Sequence, residues 1–302
     1  MEREVTFGAP PGLPGVLTLP ATAAPVPAVV LVHGSGPGDR DETVGANAPF
    51  RDLAAGLSAR GIAVLRYDKR TKVVPLSFIG RAFTVDDEVV LDAVAAVAFL
   101  RTQAGVDPSR IVVAGHSLGG ILAPRIAGRD ASVAGIVLMA GATRRSLPDM
   151  IVAQLDYLGS LPGADTTALA AQRVALGAAV QRVRALTPAD AATTTPIAGA
   201  PASYWLDLAA YDVVAATRAL AIPILVLQGG RDYQVPPGDV DDWLCAVGPR
   251  PGLTAKRYPA LNHLLIAGEG PSSPAEYGTP GTVDANLMDD LADWVKALPK
   301  RR

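Results

Sequence analysis

An apolar run followed by Gly-x-Ser-x-Gly is the feature that most restricts how this chain can fold. Residues 111–114 are mainly β-branched, residues 115–119 read Gly-His-Ser-Leu-Gly, and an apolar segment follows them. This order predicts a buried strand, a sharp turn and a helix, with Ser117 at the apex of the turn. Glycines two residues before and after Ser117 remove the Cβ atoms that would collide where strand and helix backbones approach. The Ser117 hydroxyl is therefore expected to stand clear of the backbone at the carboxyl end of the strand.

The rest of the chain alternates apolar runs with helix-like segments. Continuous apolar runs lie at residues 28–32, 62–67, 135–141 and 222–228, and a short strand is predicted near 254–258. Helices are predicted at 49–60, at 84–103 with Thr84 as N-cap, and at 283–298. Such alternation predicts an α/β fold with a doubly wound, mostly parallel sheet, and an N-terminal strand at 16–20 adds a hairpin or meander. In a parallel sheet the loops that carry chemistry gather at the carboxyl ends of the strands.

Residues 143–217 differ in composition, being rich in alanine and arginine and lacking a buried strand. We interpret this segment as an inserted helical cap, with residues 1–142 and 218–302 forming the core domain. A helix is predicted at 166–186, followed by an irregular connection and a shorter helix from about Tyr204. Four large side chains are candidates to line the apolar underside of the cap, and ordinary core packing is an equal alternative for them: Met150, Tyr157, Tyr204 and Trp205.

Composition narrows the classes of partner. Apolar residues make up 49% of the 302 residues and charged residues 19%, with a formal net charge of −2. No basic stripe with interleaved aromatic residues is present, so we expect a small-molecule partner rather than a nucleic acid. The spacings typical of metal ligands, of a phosphate-binding loop or of a dinucleotide-binding loop are missing, so neither a metal nor a cofactor is expected. The oligomeric state is left open, with a homodimer as one option.

Targeting and redox signals are sparse. Cys245 is the only cysteine, which rules out an internal disulfide, and its amphipathic surroundings predict a half-buried structural thiol. The charged N-terminus predicts no signal peptide, and the apolar runs are shorter than the roughly 20 residues of a membrane span. These features predict a cytoplasmic protein without a membrane segment.

A serine hydroxyl at neutral pH needs an adjacent base and a group that orients that base. The chain has three histidines, and His263, after the last predicted strand, is the one placed to reach the elbow. Asp232 directly follows the strand at 222–228 and is the preferred acid, which gives the chain order serine, acid, histidine. Three other acids in or near the next helix are rivals, which we expect to face solvent: Asp239, Asp241 and Asp242.

An oxyanion hole is expected from two loops. The Leu118 N–H follows the nucleophile, and the second donor is expected to be the Ser35 N–H, in the loop after the strand at 28–32. Glycines on both sides of Ser35 would allow a substrate to approach closely. Gly34 and His116 are further candidates to contact the substrate.

Three charged or glycine-rich motifs accompany the elbow. They are His-Gly-Ser-Gly-Pro at 33–37 with Asp-Arg-Asp-Glu at 39–42, Arg-Tyr-Asp-Lys-Arg at 66–70, and Gly-Gly-Arg-Asp at 229–232. Together they resemble the α/β-hydrolase superfamily, and more narrowly bacterial carboxylesterases related to the dienelactone-hydrolase and prolyl-oligopeptidase-like branches. The resemblance spans about residues 28–263. It implies a Ser117–Asp232–His263 triad with Ser35 and Leu118 as oxyanion donors, and charged segments that pair with one another beneath the site.

The function expected from these features is hydrolysis of a small ester or thioester through an acyl-enzyme on Ser117. Three alternatives use the same triad: a biosynthetic thioesterase or cyclase, a lactonase, and a peptidase. A haloperoxidase-like or lyase reaction is a further use of the same fold. A catalytically silent fold that binds a ligand is an alternative from another class.

Overall fold

One eight-stranded sheet forms the centre of the computed structural model, which describes residues 1–301. The strands are β1 (Glu2–Phe7), β2 (Leu13–Thr18), β3 (Val26–Val32), β4 (Ala63–Tyr67), β5 (Val106–His116), β6 (Val133–Met139), β7 (Ile224–Gly229) and β8 (Leu253–Tyr258). Their order in the sheet is β1-β2-β4-β3-β5-β6-β7-β8. The first hairpin joins the sheet antiparallel, and every strand pair from β4 to β8 is parallel. The predicted doubly wound, mostly parallel sheet is confirmed.

Helices cover both faces of this sheet. They are α1 (Pro49–Ala59), α2 (Arg70–Val73), α3 (Leu91–Leu100), α4 (Leu118–Arg129), α5 (Leu147–Ser160), α6 (Thr166–Arg184), α7 (Ala202–Ala210), α8 (Val213–Ala219), α9 (Pro237–Val247) and α10 (Ala285–Ala297). Alternate residues of β3 belong to different cores: Val29 and Leu31 pack with α1 and α10, whereas Val30 and Val32 pack with α3 and α4. A strand buried on both faces is apolar throughout, and this explains the continuous apolar run at 28–32.

The helical segment predicted at 84–103 begins directly after Thr84, whose carbonyl oxygen accepts the Glu88 N–H and whose N–H donates to Asp87 over 2.8 Å. Its first turn is π-helical (Asp86–Val90) before α3, and the Thr84 hydroxyl donates to Asp87 and does not act as a side-chain cap. The half-buried setting predicted for Cys245 was wrong. Cys245 lies on the exposed side of α9, because the buried face of that helix is formed by Val240, Trp243 and Val247.

The segment between β6 and β7 is helical, as its composition predicts, and contains α5 to α8. α5 and α6 pack on each other, whereas α8 packs on α4 and α9 of the sheet-covering layer. The division into a core and a cap at 143–217 remains a prediction, and these contacts place α8 with the core helices. Within the described residues, every helix falls short of the length and apolarity that crossing a membrane demands.

Candidate active site

Ser117 stands between β5 and α4 with unusual backbone angles. Its φ is +52° and its ψ is −118°, a region that side chains with a Cβ rarely occupy. A Cβ on Gly115 would collide with the Gly119 backbone, and one on Gly119 would collide with the Val32 carbonyl oxygen. The Ser117 N–H donates to the Met139 carbonyl over 2.9 Å, which ties the turn to the neighbouring strand. The surrounding backbone therefore holds the strained serine in place.

Asp232 and His263 meet at the carboxyl end of the sheet. His263 Nδ1 donates to Asp232 Oδ2 over 2.9 Å, and both side chains are buried. Asp232 Oδ1 accepts the N–H groups of Gln234 and Val235, each over 2.9 Å, and Gln228 Nε2 lies 3.3 Å from Oδ2. A carboxylate with these four donors has one orientation. The proton on His263 Nδ1 leaves Nε2 free to accept another.

Ser117 lies beside the loop that follows β3. A Cβ on Gly34 would be 3.2 Å from Ser117 Cβ and 3.7 Å from Oγ. Within residues 1–301 no hydrogen bond joins Ser117 Oγ to His263. Hydrogen bonds between a nucleophile and its base are often long in ligand-free enzymes and shorten when substrate binds.

Both predicted oxyanion donors lie close to Ser117. Leu118 is the first residue of α4, so its N–H has no partner inside the helix. Ser35 lines the same cavity as Ser117. The Gly34 N–H points elsewhere, since it donates to Glu42 Oε1 over 2.7 Å. Gly34 is therefore a close neighbour of the nucleophile but is absent from the residues that line the cavity.

His116 does not reach the cavity, which corrects the expectation that it contacts the substrate. Its ring is buried between Glu42, whose Oε2 lies 3.0 Å from Nδ1, and the His263 carbonyl oxygen, which is 2.8 Å from Nε2. A carbonyl only accepts, so Nε2 carries a proton, and the Glu42 carboxylate favours a second proton on Nδ1. Burial is the largest single effect on the ring and disfavours its charge, but the charge and hydrogen bond of Glu42, the His263 carbonyl oxygen and the charge of Asp232 together outweigh it and raise the pKa of His116. Burial would likewise raise the pKa of Glu42, but the charge and hydrogen bond of His116, with smaller contributions that include the Gly34 N–H, together lower it.

His33, by contrast, is uncharged at neutral pH. Burial lowers its pKa to about 4, although the nearby Glu42 carboxylate acts in the opposite direction. Its Nε2 lies 2.8 Å from the Asp39 carbonyl oxygen and donates to it. The ring therefore braces the loop at 33–39 without adding a charge beneath the site.

The charged motifs pair with one another, as their resemblance to known hydrolases implies. Arg40 binds Asp68 over 3.0 Å, and Arg66 forms an ion pair with Asp41. The rival acid Asp239 is buried instead of facing solvent, because Arg145 neutralises it over 2.6 Å. Asp241 and Asp242 are exposed, as expected.

A cavity of about 840 Å³ opens beside Ser117, between the sheet and the helical segment. Its walls are largely apolar and include Phe78, Ile79, Phe83, Met150, Ile151 and Trp205. Met150, Tyr204 and Trp205 line it, as the sequence suggests. Tyr157 does not: it stacks on Tyr233, and its hydroxyl donates to the Ser272 carbonyl oxygen. No group of three or more potential metal-binding side chains occurs in the part of the chain that the structure describes.

Sequence reasoning placed Glu42 and Lys69 in charged motifs expected to pair beneath the site, but it did not identify their partners. Gln228, which supports Asp232, gave no signal, since it lies in β7 among residues that already explain the apolar pattern. Lys69 and Glu88 form a buried ion pair of 2.7 Å, although they are 19 residues apart in the sequence. The sequence shows that charged residues adjoin the glycine-rich loops, but the contacts by which they support the site are seen only when the loops are placed in space.

Comparison with known proteins decides the family. A family model described as serine aminopeptidase, S33, matches residues 23–270. The chain belongs to this family of α/β hydrolases. Esterase EstD of Thermotoga maritima, a relative, is 42% identical over 297 residues, which cover 97% of this chain and 67% of EstD.

Solved structures agree on the fold of this S33 family member. The esterase domain of a Rhodothermus marinus protein superimposes with a TM-score of 0.58 at 18% identity, covering 99% of both chains. An esterase of Pyrococcus furiosus gives a TM-score of 0.59 at 17% identity, covering 99% of this chain and 91% of that one. At such identities the likeness shows the α/β-hydrolase fold alone. The family model and the identity to EstD confirm the superfamily membership predicted from the motifs.

Proposed function

We propose that the protein is a carboxylic ester hydrolase that cleaves small esters through an acyl-enzyme on Ser117. The observation that carries the proposal is a strained serine on the wall of an apolar cavity, at the sheet edge where the buried Asp232–His263 pair lies. The high identity to EstD, named an esterase, supports the same reaction class. A small-molecule ester or thioester as substrate and a cytoplasmic location remain parts of this proposal.

The first half of the reaction uses the free Nε2 of His263. Ser117 Oγ attacks the ester carbonyl carbon while His263 Nε2 takes the hydroxyl proton, and Asp232 stabilises the imidazolium. The oxyanion of the tetrahedral intermediate accepts hydrogen bonds from the N–H groups of Ser35 and Leu118. The intermediate collapses as the alcohol leaves with the proton from His263, and the acyl group stays on Ser117.

The second half regenerates the serine. Water that occupies the place of the alcohol gives a proton to His263 and attacks the acyl carbonyl carbon. The new tetrahedral intermediate releases the carboxylic acid, and His263 returns the proton to Ser117. Besides the ester and the water, no further reactant is needed to balance either step.

The family description favours one second candidate, an aminopeptidase. Such an enzyme needs a free carboxylate to bind the cationic amino group of its substrate. Glu88 is the single acidic residue among those lining the cavity in the described structure, and Lys69 already neutralises it. The cavity therefore suits an uncharged acyl or alcohol group better than an ammonium group.

A paired substrate assay tests the proposal. The protein is given p-nitrophenyl acetate, butyrate and octanoate alongside the p-nitroanilides of alanine and leucine. An esterase hydrolyses the esters with a kcat/KM at least a hundredfold above that of the anilides. Comparable rates on the aminoacyl anilides would favour the aminopeptidase. Ester turnover that persists in Ser117→Ala would overturn the acyl-enzyme mechanism.

A further inference from the structure

The peptide group between Gly34 and Ser35 is held from its carbonyl side. Lys69 Nζ donates to the Gly34 carbonyl oxygen over 3.0 Å, and the Gly34 N–H donates to Glu42 over 2.7 Å. A trans peptide is planar, so its C=O and N–H point in opposite directions. Fixing the Gly34 carbonyl towards Lys69 therefore fixes the Ser35 N–H on the side away from Lys69.

Lys69 is itself held rigidly. It lies two residues after the end of β4, its side chain is 2% exposed, and its N–H donates to the Gly38 carbonyl oxygen over 3.0 Å. Its ammonium group contacts Glu88 Oε1 at 2.7 Å. Lys69 thus links the end of a central strand to the loop at 33–38.

Glu88 brings this pair to the wall of the cavity. Both Glu88 and Tyr204 of α7 line that wall. Burial and the charge of Glu88 raise the pKa of Tyr204 well above its ordinary value, so the hydroxyl keeps its proton. The chain of contacts runs from Glu88 at the cavity wall through Lys69 to Gly34.

The cost of burying this ion pair favours a role beyond stability. Taking two charges out of water is costly, and apolar side chains of the same volume commonly stabilise a fold as well or better. Arg70 and Asp92, the next residue and its partner, form a neighbouring ion pair that is also largely buried, with the arginine side chain 15% exposed. In that pair the Arg70 guanidinium donates to the Ala9 carbonyl oxygen and not to the loop beside Ser117.

We infer that Lys69, held by Glu88, is a positioning residue that orients the Ser35 N–H for the oxyanion of the tetrahedral intermediate. The inference rests on the proposed ester hydrolysis, because the oxyanion arises only there. Lys69 acts through the Gly34 peptide and does not itself touch the substrate.

The test compares two double variants with the wild-type chain. Lys69→Met with Glu88→Gln removes the pair at the loop, and Arg70→Met with Asp92→Asn is the matched control. Amide ¹⁵N relaxation of Ser35 reports the order of the peptide without any need for turnover. Kinetics on p-nitrophenyl butyrate and inhibition by a trifluoromethyl ketone, which forms a tetrahedral adduct with an oxyanion, report the consequence for catalysis.

We expect the Ser35 amide to lose order in the Lys69/Glu88 variant and to keep it in the control. In the same variant kcat should fall about 10- to 100-fold, below the loss seen when an oxyanion donor is removed outright, with KM within about threefold. The inhibition constant of the ketone should rise by the same factor as kcat/KM falls. The single variant Glu88→Gln, which keeps the side-chain shape, should lose about three- to tenfold in kcat and serves if the double variant does not fold.

An unchanged Ser35 amide would overturn the inference, as would a loss of kcat equal to that of the control. A rise in KM with kcat unchanged would also overturn it, since Glu88 would then act only on substrate binding. If the wild-type chain lacks ester turnover, the proposed function fails while the relaxation measurement still decides whether Lys69 holds the peptide.

Discussion

Replacing Asp232 by Asn separates the orienting role of the carboxylate from its role in stability. Asp232 Oδ1 accepts two backbone N–H groups, so the amide oxygen of the variant must take that position. The amide NH₂ then faces His263 Nδ1, which can accept from it only if the ring proton moves to Nε2. In that tautomer His263 cannot take the proton of Ser117.

The expected loss follows from this geometry. A triad histidine in the wrong tautomer loses about 10³- to 10⁴-fold in kcat, or roughly 4–5.5 kcal/mol of transition-state stabilisation. Stability should fall by only about 1 kcal/mol, at the low end for a disrupted buried hydrogen bond. The reason is that Gln228 Nε2, which would face the new NH₂, keeps the carbonyl oxygens of Gly229 and Val235 as partners.

Two measurements check this prediction: kcat and KM on p-nitrophenyl butyrate, and urea denaturation followed by circular dichroism. KM should stay within about threefold, because Asp232 does not line the cavity. Asp239→Asn is the matched control, and it should lose stability through its pairing with Arg145 while kcat changes less than threefold. If Asp232→Asn keeps more than a tenth of the wild-type kcat, or if the control loses as much, the assignment of the acid is wrong.

Three further predictions test the turn, the buried pair and the cavity. Gly119→Ala forces a Cβ into the carbonyl oxygens of Val32 and His33 and should lower the free energy of unfolding by about 3 kcal/mol. Gly128→Ala, in the same helix, has open space for its Cβ and should raise that free energy by about 0.5–1 kcal/mol. Equal effects of the two substitutions in urea denaturation would refute the steric argument. The stability gap between the wild-type chain and the double variant Glu42→Gln, His116→Gln should be largest between about pH 4.5 and 6.5. His116, whose pKa is raised, contributes less stability as the pH rises, and Glu42, whose pKa is lowered, contributes less as the pH falls. A gap that does not change with pH would contradict the ion pair. Ile151 lines the cavity, so Ile151→Trp should lower kcat/KM for p-nitrophenyl octanoate at least tenfold and for p-nitrophenyl acetate less than threefold. Each CH₂ of the acyl chain that the larger side chain excludes from the cavity loses about 0.8 kcal/mol of binding free energy. Equal losses for the two esters would place the acyl chain elsewhere.

The sheet and the elbow could be predicted because their signals are local. A strand buried on both faces is apolar throughout, as in β3, and the glycines at 115 and 119 form a recognisable motif around Ser117, although the contact that requires Gly119 is with the end of β3. The limits of the helices were less certain, since the start of the segment at 84–103 depends on a π-turn whose side chains meet partners far away in the sequence. Asp86, for example, pairs with Arg129, 43 residues away in the sequence.

The same distinction, between local signals and contacts of residues far apart in the sequence, applies to the candidate site. Ser117, Asp232 and His263 were chosen from chain order and from the ends of predicted strands, and Asp232 and His263 do meet in the structure. The positions of His116 and Tyr157 could not be foreseen, because neighbouring residues in a sharp turn or on one helix can face opposite sides. Glu42 and Lys69 lie in motifs that were expected to pair beneath the site, but their partners, His116 and Glu88, could not be identified, because the elements that carry them come together only in the folded chain.

Covalent labelling of Ser117 tests the central claim most directly. The wild-type chain and Ser117→Ala are incubated with a fluorophosphonate, and intact mass and peptide mapping locate the adduct. The account predicts one adduct per chain, on Ser117, that is lost in the variant and formed at least a thousandfold more slowly in His263→Ala. An adduct that persists in Ser117→Ala would contradict it by placing the nucleophile elsewhere. An unlabelled wild-type chain would also contradict it and would favour a fold that binds its ligand without hydrolysing it.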